Sequence, residues 1–373
     1  MTERNENLKT NLFLAVFAAL PLVGLASGPA YAPLLFGLTA IVTVTRGAWP
    51  AVDRRLAILA ILFVALCAAE LPLSIDLARS AQRVSQMAGI LLGCVLLLAL
   101  PKPDQVRLFP LMHLAIAVGA IVLILDTALG YPLQRLITGG AVNAAYKYNR
   151  GLISMLLISW PLLGGLDKRR AVSLAMFLTG ALVAGLSTTG LVAWFGGAAI
   201  WLLARWRLAA ARRLLGGAAT LLALALPRLL RLASSWRMEL APHIKTSGVH
   251  RLEIWDYMSA RILERPFTGW GLGAAQKVPI RPEELANYLY VSPDGVYPHN
   301  QWVEAWLETG LPGVLIGLAL VWLALTRAKS PYAVAAIASA LIASALNFEI
   351  TTDSWWAALA ASALLFQFPT RKM

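Results

Sequence analysis

Runs of apolar residues long enough, as helices, to cross roughly 30 Å of hydrocarbon recur along this chain almost without interruption. Inside a bilayer no water is present to satisfy the backbone, so such runs must bond internally as helices. They fall at 11–27, 29–45, 56–72, 84–100, 108–126, 150–166, 171–187, 189–204, 214–230, 311–326, 332–347 and 354–368, which predicts twelve crossings. Composition agrees: 59% of the 373 residues are hydrophobic, 14% are charged, and the mean hydropathy is +0.68, outside the range of soluble globular chains. The expected fold class is all-α, a polytopic integral membrane protein.

Lysine and arginine placement orients the spans. With the N-terminus inside, the cytoplasmic segments hold Arg4 and Lys9; Arg46, Arg54 and Arg55; Lys102 and Arg107; and Lys168, Arg169 and Arg170. They also hold Arg205, Arg207, Arg212 and Arg213; Arg327 and Lys329; and Arg371 and Lys372. Short outer connections carry far fewer, so both termini are expected in the cytoplasm. The pair 171–204 needs a very tight outer turn at Thr188, Thr189 and Gly190, and fusing those two spans would invert everything after them. Arg4 and Lys9 before an apolar stretch ending "GLASGPAYA" imitate a signal peptide, but another span follows at once and an uncleaved first helix is expected. Cys67 and Cys94 fall inside spans, form no ligand or disulfide pattern, and read as packing residues.

Three parts follow: an N-terminal bundle over 1–230, a long polar insertion over 231–310 on the outer side, and C-terminal helices over 311–373. Long insertions of this kind carry function. In "SGVHRLEIWDYMSARILERPFTGWGLG", Ile254, Met258 and Ile262, with Trp255, recur at helical spacing, Pro266 stops the pattern, and Gly269, Gly271 and Gly273 predict a turn. An amphipathic helix on the outer membrane surface is expected. The insertion also carries Arg231, Arg237, Lys245, Arg251, Arg261, Arg265, Lys277 and Arg281, a basic surface suited to a lipid diphosphate or phosphate-bearing glycolipid.

The stretch "YPHNQWVEAWLETGLPG" places His299 at the start of a further helix, with Asn300 as its cap. Trp302, Val303, Trp306 and Leu307 form an apolar face, Gln301, Glu304 and Glu308 a polar one, and Gly310 and Pro312 end the helix. The partial positive charge of a helix N-terminus keeps a nearby imidazole neutral, and a neutral imidazole can act as a general base.

"HRLEIW", "ERPFTGWGLG" and "PHNQWVEAWLETGLPG" together resemble the C-terminal signature of the O-antigen ligase and O-antigen polymerase superfamily, over roughly residues 248 to 320. The resemblance implies a C-type-glycosyltransferase-like membrane enzyme that moves a glycan from undecaprenyl diphosphate to an acceptor, lipid A-core or another glycan, at the periplasmic face of the bacterial inner membrane. It implies that His299 is the essential histidine and that Arg251 engages the diphosphate. Many members carry Ser-Arg-Gly at the outer end of a middle span, whereas this chain has "LSTTGLVAW", with Thr189 where the arginine falls. Arg150, in "YKYNRGLIS" with Lys147 beside it, can supply the charge, or can be a snorkelling interfacial arginine.

The diphosphate set is therefore Arg251, Arg150 and Arg265, with Asn300, Glu304, Trp255 and Lys147 in support. A diphosphate leaving group needs its charge neutralised, which arginine does bidentately. The acceptor hydroxyl needs one base, and a single displacement inverts the anomeric carbon. No cofactor is expected: there is no Asp-x-Asp pair and no metal-ligand spacing. A nucleic-acid partner is not expected either; the partners are the lipid-linked donor, the acceptor and membrane lipids.

Each choice has a plainer competitor. His250 is a rival base, Arg251 can simply pair with Asp256 or Glu253, and Glu304 and Glu308 can face water or orient the imidazole. His113, inside a span, suits an interhelical hydrogen bond. Trp255, Trp270, Trp302 and Trp306 suit sugar stacking or an interfacial aromatic belt. A transporter of lipid-linked glycans is the alternative class, but it predicts ionisable groups within the spans or internal repeats, whereas Glu70, Asp126 and Glu349 sit near span ends. Ligase and polymerase share donor, base and phosphate clamp, and the sequence leaves both open.

Overall fold

The computed structural model describes residues 2–46, 51–101, 104–140, 144–236, 239, 243, 246–279, 281, 283 and 297–366, with the side chains of 2–9, 46, 144–147 and 246–247 excepted. Lys102, Arg237, Lys245, Arg371 and Lys372 lie outside the described residues, as do the side chains of Arg4, Lys9, Arg46 and Lys147. Each of the twelve predicted spans is a helix: α1 Thr2–Ala26, α2 Tyr31–Arg46, α3 Arg54–Ala69, α4 Leu77–Leu98, α5 Gln105–Ala128, α7 Ala144–Gly165, α8 Lys168–Ala184, α9 Thr188–Trp206, α10 Leu208–Ser235, α12 Gln301–Arg327, α13 Pro331–Leu346 and α14 Asp353–Phe366. Among the described residues two more are given bounds between them, the short α6 Pro132–Thr138, which the sequence pattern did not indicate, and α11 Thr246–Glu264. Among the described residues, six segments, in α2, α3, α4, α5, α10 and α12, are long and apolar enough to cross a membrane alone.

Side-chain oxygens start many of these helices. Asp53, Asp76, Asp104 and Asp167 each accept a backbone N–H of the first turn of α3, α4, α5 and α8. The pair α8 and α9 is two separate helices, and the turn between them is shifted from the expected place: it lies at Gly185, Leu186 and Ser187, with Leu186 left-handed (φ 50°) and Ser187 capping α9, so Thr188, Thr189 and Gly190 are already helical. The hydroxyl of Ser187 takes the Gly190 N–H, which lets the helix begin earlier than glycine placement suggested.

At the centre stands α7. Leu152, Ile153, Met155, Leu156, Leu157 and Ile158 are all buried, so this helix is apolar on every side and wrapped by α1, α13 and α14. Small residues permit the wrapping. A Cβ on Gly151 would stand 2.0 Å from the carbonyl oxygen of Gly24 in α1, so these backbones touch directly. Polar links join the same layers: the Trp160 indole donates to Ser339 Oγ (2.9 Å), which donates to the Ala193 carbonyl (2.8 Å), tying α7, α13 and α9. His113 meets Ser173 at 2.8 Å between α5 and α8, the interhelical bond expected of it. Cys67 and Cys94 are free and buried.

The bundle has two distinguishable ends. At one, Arg327 pairs with Asp53 at 2.6 Å, and Arg212 points at the Thr326 and Ala328 carbonyls, so three of the segments assigned to the cytoplasm meet there. At the other end lie α11, the glycine-rich turn after it, His299 and the α13–α14 connection.

Candidate active site

Two sequence elements 40 residues apart lock together at this second end. Pro312 has no N–H, so the carbonyl of Glu308 loses its helical donor; Gly310, at φ 58° and ψ −164°, bends α12 so that the Leu311 N–H also turns away. The turn after α11 satisfies both groups and the Leu307 carbonyl that the Leu311 N–H leaves: Trp270 N donates to Leu307 O (2.8 Å), Gly271 N to Glu308 O (3.0 Å), and Leu311 N to Pro266 O (2.8 Å). The fit is backbone on backbone. A Cβ on Gly269 would lie 2.5 Å from the Glu308 carbonyl carbon, and one on Gly310 2.6 Å from that of Phe267. Gly269, Gly271 and Gly273 all have positive φ, as a turn at these glycines requires. As expected, the first helical segment of α12 ends at Gly310, whose backbone is non-helical, and the second follows at once to Arg327; the turn replaces the hydrogen bonds lost at this kink.

His299 sits one residue before the Asn300 cap. Asn300 Oδ1 accepts from the backbone N–H of Trp302 (3.0 Å) and Val303 (3.2 Å), confirming its capping role. His299 itself is left-handed (φ 49°), a conformation costing of order 1 kcal/mol that persists only where its surroundings enforce it. They do so from two sides. The Trp255 indole of α11 donates to the Pro298 carbonyl at 2.6 Å, and the Tyr297 ring meets the imidazole edge-on with centroids 5.1 Å apart. Burial, reinforced by the charges of Arg251, His250 and Arg150, pushes the imidazole down to about 4, so it is neutral at pH 7.

Of the expected arginines, two face this histidine. Arg251 is half-buried on α11, and burial lowers its pKa, although a guanidinium stays charged. Its plainer reading is not realised among the described residues: Asp256 pairs with Arg231 at 3.7 Å, and no ion pair joins Asp256 or Glu253 to Arg251. Arg150, near the start of α7, reaches Glu349 at 3.6 Å with its side chain 44% exposed. The neighbouring Asn149 meets the Ser187 hydroxyl (2.5 Å), so the "LSTTG" turn and Arg150 occupy one corner. Arg265 is engaged elsewhere, stacked over Trp270 (4.1 Å) and donating to the Leu73 carbonyl (3.0 Å).

The remaining expected residues divide. Glu304 and Glu308 do not face water: they are 4% and 1% exposed, because the α13–α14 connection and the glycine-rich turn cover them. Glu304 accepts the Ile350 N–H (2.6 Å) and Glu308 the Ala275 N–H (3.1 Å), so each carboxylate anchors a loop. The four tryptophans are structural ties as well, their indoles donating to Pro298 O, Arg261 O, Ser344 Oγ and Ala223 O for Trp255, Trp270, Trp302 and Trp306.

The sequence reading missed Arg79 and Arg83, at the start of α4. Arg83 donates to Thr351 Oγ1 (3.3 Å), Arg79 to Gln276 (2.7 Å), and both line a recess with Tyr297, Glu304, Glu308 and Glu349. A signal existed: two arginines in a connection assigned to the outer side run against the positive-inside pattern. The connection after α13 was equally silent, yet Phe348 is left-handed (φ 56°) and stacks on Trp355 at 4.2 Å, holding Glu349 toward Arg150. Burial raises the Glu349 carboxyl and the Arg150 charge opposes that shift.

A family comparison covers part of this site, α11 and His299 included, but not Arg79, Arg83, Arg150 or Glu349. Residues 172–318 match the family model described as O-antigen ligase. A putative polysaccharide ligase of Rickettsia conorii (strain ATCC VR-613 / Malish 7) is 32% identical over 78 residues, 20% of this chain and 19% of the relative. Similar proteins of Rickettsia felis (31% over 78 residues; 20% and 19%) and Rickettsia typhi (30% over 80 residues; 21% and 20%) carry the same description. The match spans about one fifth of the length of these curated relatives.

Proposed function

Because residues 172–318 carry the O-antigen ligase domain, we propose that this membrane protein is a glycan transferase of the ligase type, with His299 as its general base. The donor is an undecaprenyl-diphosphate-linked glycan and the acceptor a hydroxyl of lipid A-core, at the periplasmic face of the inner membrane. The observation that supports this most is a neutral imidazole held in a strained conformation with two arginines converging on it.

In the proposed reaction the acceptor oxygen bonds to the anomeric carbon as the carbon–phosphate oxygen bond breaks, inverting that carbon. The acceptor proton passes to an imidazole nitrogen of His299, and the electron pair leaves on the diphosphate, whose charge Arg251 and Arg150 offset. Arg150 takes the place of the arginine missing at Thr189; the shared corner with Ser187 supports this. Arg265 serves the site through the turn it braces. No step needs a bound metal. The ligase reading is preferred to the polymerase because the similar Rickettsia proteins are described as polysaccharide ligases.

The test is the lipopolysaccharide profile of a strain lacking this gene, complemented with wild type or with His299→Ala. Core without O-chain, with glycan retained on the carrier lipid, in both the deletion and the His299→Ala strain supports the ligase. Core bearing one repeat unit indicates a polymerase, and normal chains with His299→Ala remove this histidine from the mechanism.

A further inference from the structure

Cations are spread unevenly over the end of the bundle assigned to the cytoplasm. Where α4 meets α5 and α7 meets α8, acids accompany them: Arg107 pairs with Asp104 at 3.4 Å and Arg170 with Asp167 at 3.5 Å. A different corner lacks such partners. There α9 closes on Arg205 and Trp206, Arg207 alone links it to α10, and Arg212 and Arg213 lie in the first two turns of α10. The α12–α13 connection adds Arg327 and Lys329, and α3 opens with Arg54 and Arg55. The fold brings these three segments together. Ala204 and Ala211 share a small apolar core with Leu325 and Ala328, Arg212 points at the Thr326 and Ala328 carbonyls (3.5 Å each), and Arg327 reaches Asp53 at 2.6 Å.

In these segments eight cations meet one acid, Asp53, and among the described residues only Arg327 pairs with it. Arg54, Arg55, Arg207, Arg213 and Lys329 are exposed, with no ion pair among the described residues. A basic inner end orients the chain, but orientation depends on the sum of charges and leaves open why they gather at one corner. Like charges gathered in this way repel, so the corner gains from an anion that offsets them.

The surroundings restrict that anion. Trp206 stands between Arg205 and Arg207 with 86% of its surface exposed, and Leu202 and Leu214, 55% and 58% exposed, continue an apolar surface along the two helices. At the end of a membrane span such leucines face acyl chains and such an indole sits among headgroups. The connections are also short, one residue between α9 and α10 and three between α12 and α13. The cations thus stay level with the helix ends, where lipid phosphates lie, instead of projecting on a loop toward a soluble polyanion. Arginine takes a phosphate bidentately, and basic pockets between transmembrane helices on this side suit anionic headgroups.

We infer that the corner formed by the α9–α10 junction, the α12–α13 connection and the start of α3 binds the phosphate of an anionic phospholipid, whose acyl chains lie along Trp206, Leu202 and Leu214. This site is at the opposite end of the bundle from His299 and does not depend on the transferase reading.

The experiment is electron paramagnetic resonance on the full-length protein in phosphatidylcholine vesicles that carry a trace of chain-spin-labelled phosphatidylglycerol or, separately, phosphatidylcholine. Lipid held at the protein surface is motionally restricted, and wild type is expected to favour phosphatidylglycerol by at least about threefold. Sodium chloride at about 0.5 M should bring that ratio toward unity. The preference should fall by about half or more in Arg207→Gln/Arg213→Gln and in Arg54→Gln/Arg55→Gln. These pairs lie on separate helices, so that if one fails to fold the other decides. Lys168→Gln/Arg169→Gln, at the start of α8, should keep the preference. No preference in wild type, an unchanged preference in a folded corner pair, or an equal loss in the α8 pair overturns the site. Inorganic phosphate that abolishes the preference more than chloride does at the same ionic strength would reveal a free-anion site and overturn the lipid assignment.

Discussion

The backbone N–H of Gly271 donates to the carbonyl of Glu308 across 3.0 Å, taking the acceptor that Pro312 leaves open. Through this bond, and its neighbours from Trp270 and Leu311, the turn after α11 and the kink of α12 become one rigid unit. Arg251 sits on one of the two helices so joined and His299 immediately precedes the cap of the other, which fixes the relation between the proposed base and the cation.

Gly310→Ala is expected to break that unit. Its Cβ would stand 2.6 Å from the Phe267 carbonyl carbon, and φ 58° with ψ −164° is a region essentially closed to other residues, costing of order 1–3 kcal/mol before the clash is counted. A lower detergent-solubilised melting temperature and lost transfer are expected; an unshifted melt would mean that the turn yields.

Trp255→Phe keeps an aromatic side chain, though a smaller one, and removes the bond to the Pro298 carbonyl, worth about 1 kcal/mol. His299 then loses one of its two restraints. Transfer is expected to fall severalfold with protein abundance near wild type, whereas full activity would show that Tyr297 and the Asn300 cap suffice.

The pH dependence has a definite sign. The His299 pKa, ordinarily 6.5, is lowered to about 4, so kcat/KM should hold as pH falls below 6 and decline only as it approaches 4. Between those values an unfolded chain takes up a proton that the folded one refuses, so stability decreases with falling pH. Arg251→Gln removes one of the charges opposing protonation and should move the acidic limb upward. A limb already near 6.5 in wild type, or unmoved by Arg251→Gln, would contradict the arrangement.

Arg150→Ala is expected to raise KM for the lipid-linked donor by tenfold or more, with Arg150→Lys intermediate, because a lysine keeps the charge and loses the bidentate fork. Equal wild-type kinetics in both variants would reduce Arg150 to a partner of Glu349.

Transfer by the purified protein should survive a chelator such as EDTA. Activity lost on chelation and recovered with magnesium or manganese would overturn the metal-independent proposal.

Much of this molecule was legible in its chain. Every apolar run became a helix, Asn300 became the cap, and the glycines at 269, 271 and 273 took positive φ, since each depends on a few neighbouring residues and on backbone sterics. The α8–α9 turn was misplaced because a local hydroxyl cap at Ser187 outranked a glycine at 190. Glu304 and Glu308 were assigned to a wet face by helical periodicity, which reports the faces of a helix and says nothing of loops that later cover one of them.

The sequence by itself determined an all-helical membrane protein with His299 at a helix start, because hydropathy, capping and turn formation are short-range and additive. Tertiary structure alone decided that Arg79, Arg83 and Glu349 share a recess with Tyr297, that Glu349 meets Arg150, and that Arg265 braces a turn. Those groups come from two helices and a connection separated by tens to hundreds of residues. Their meeting depends on which helices can approach closely, as α1 and α7 do at Gly24 and Gly151, and on which backbone groups a kink sets free.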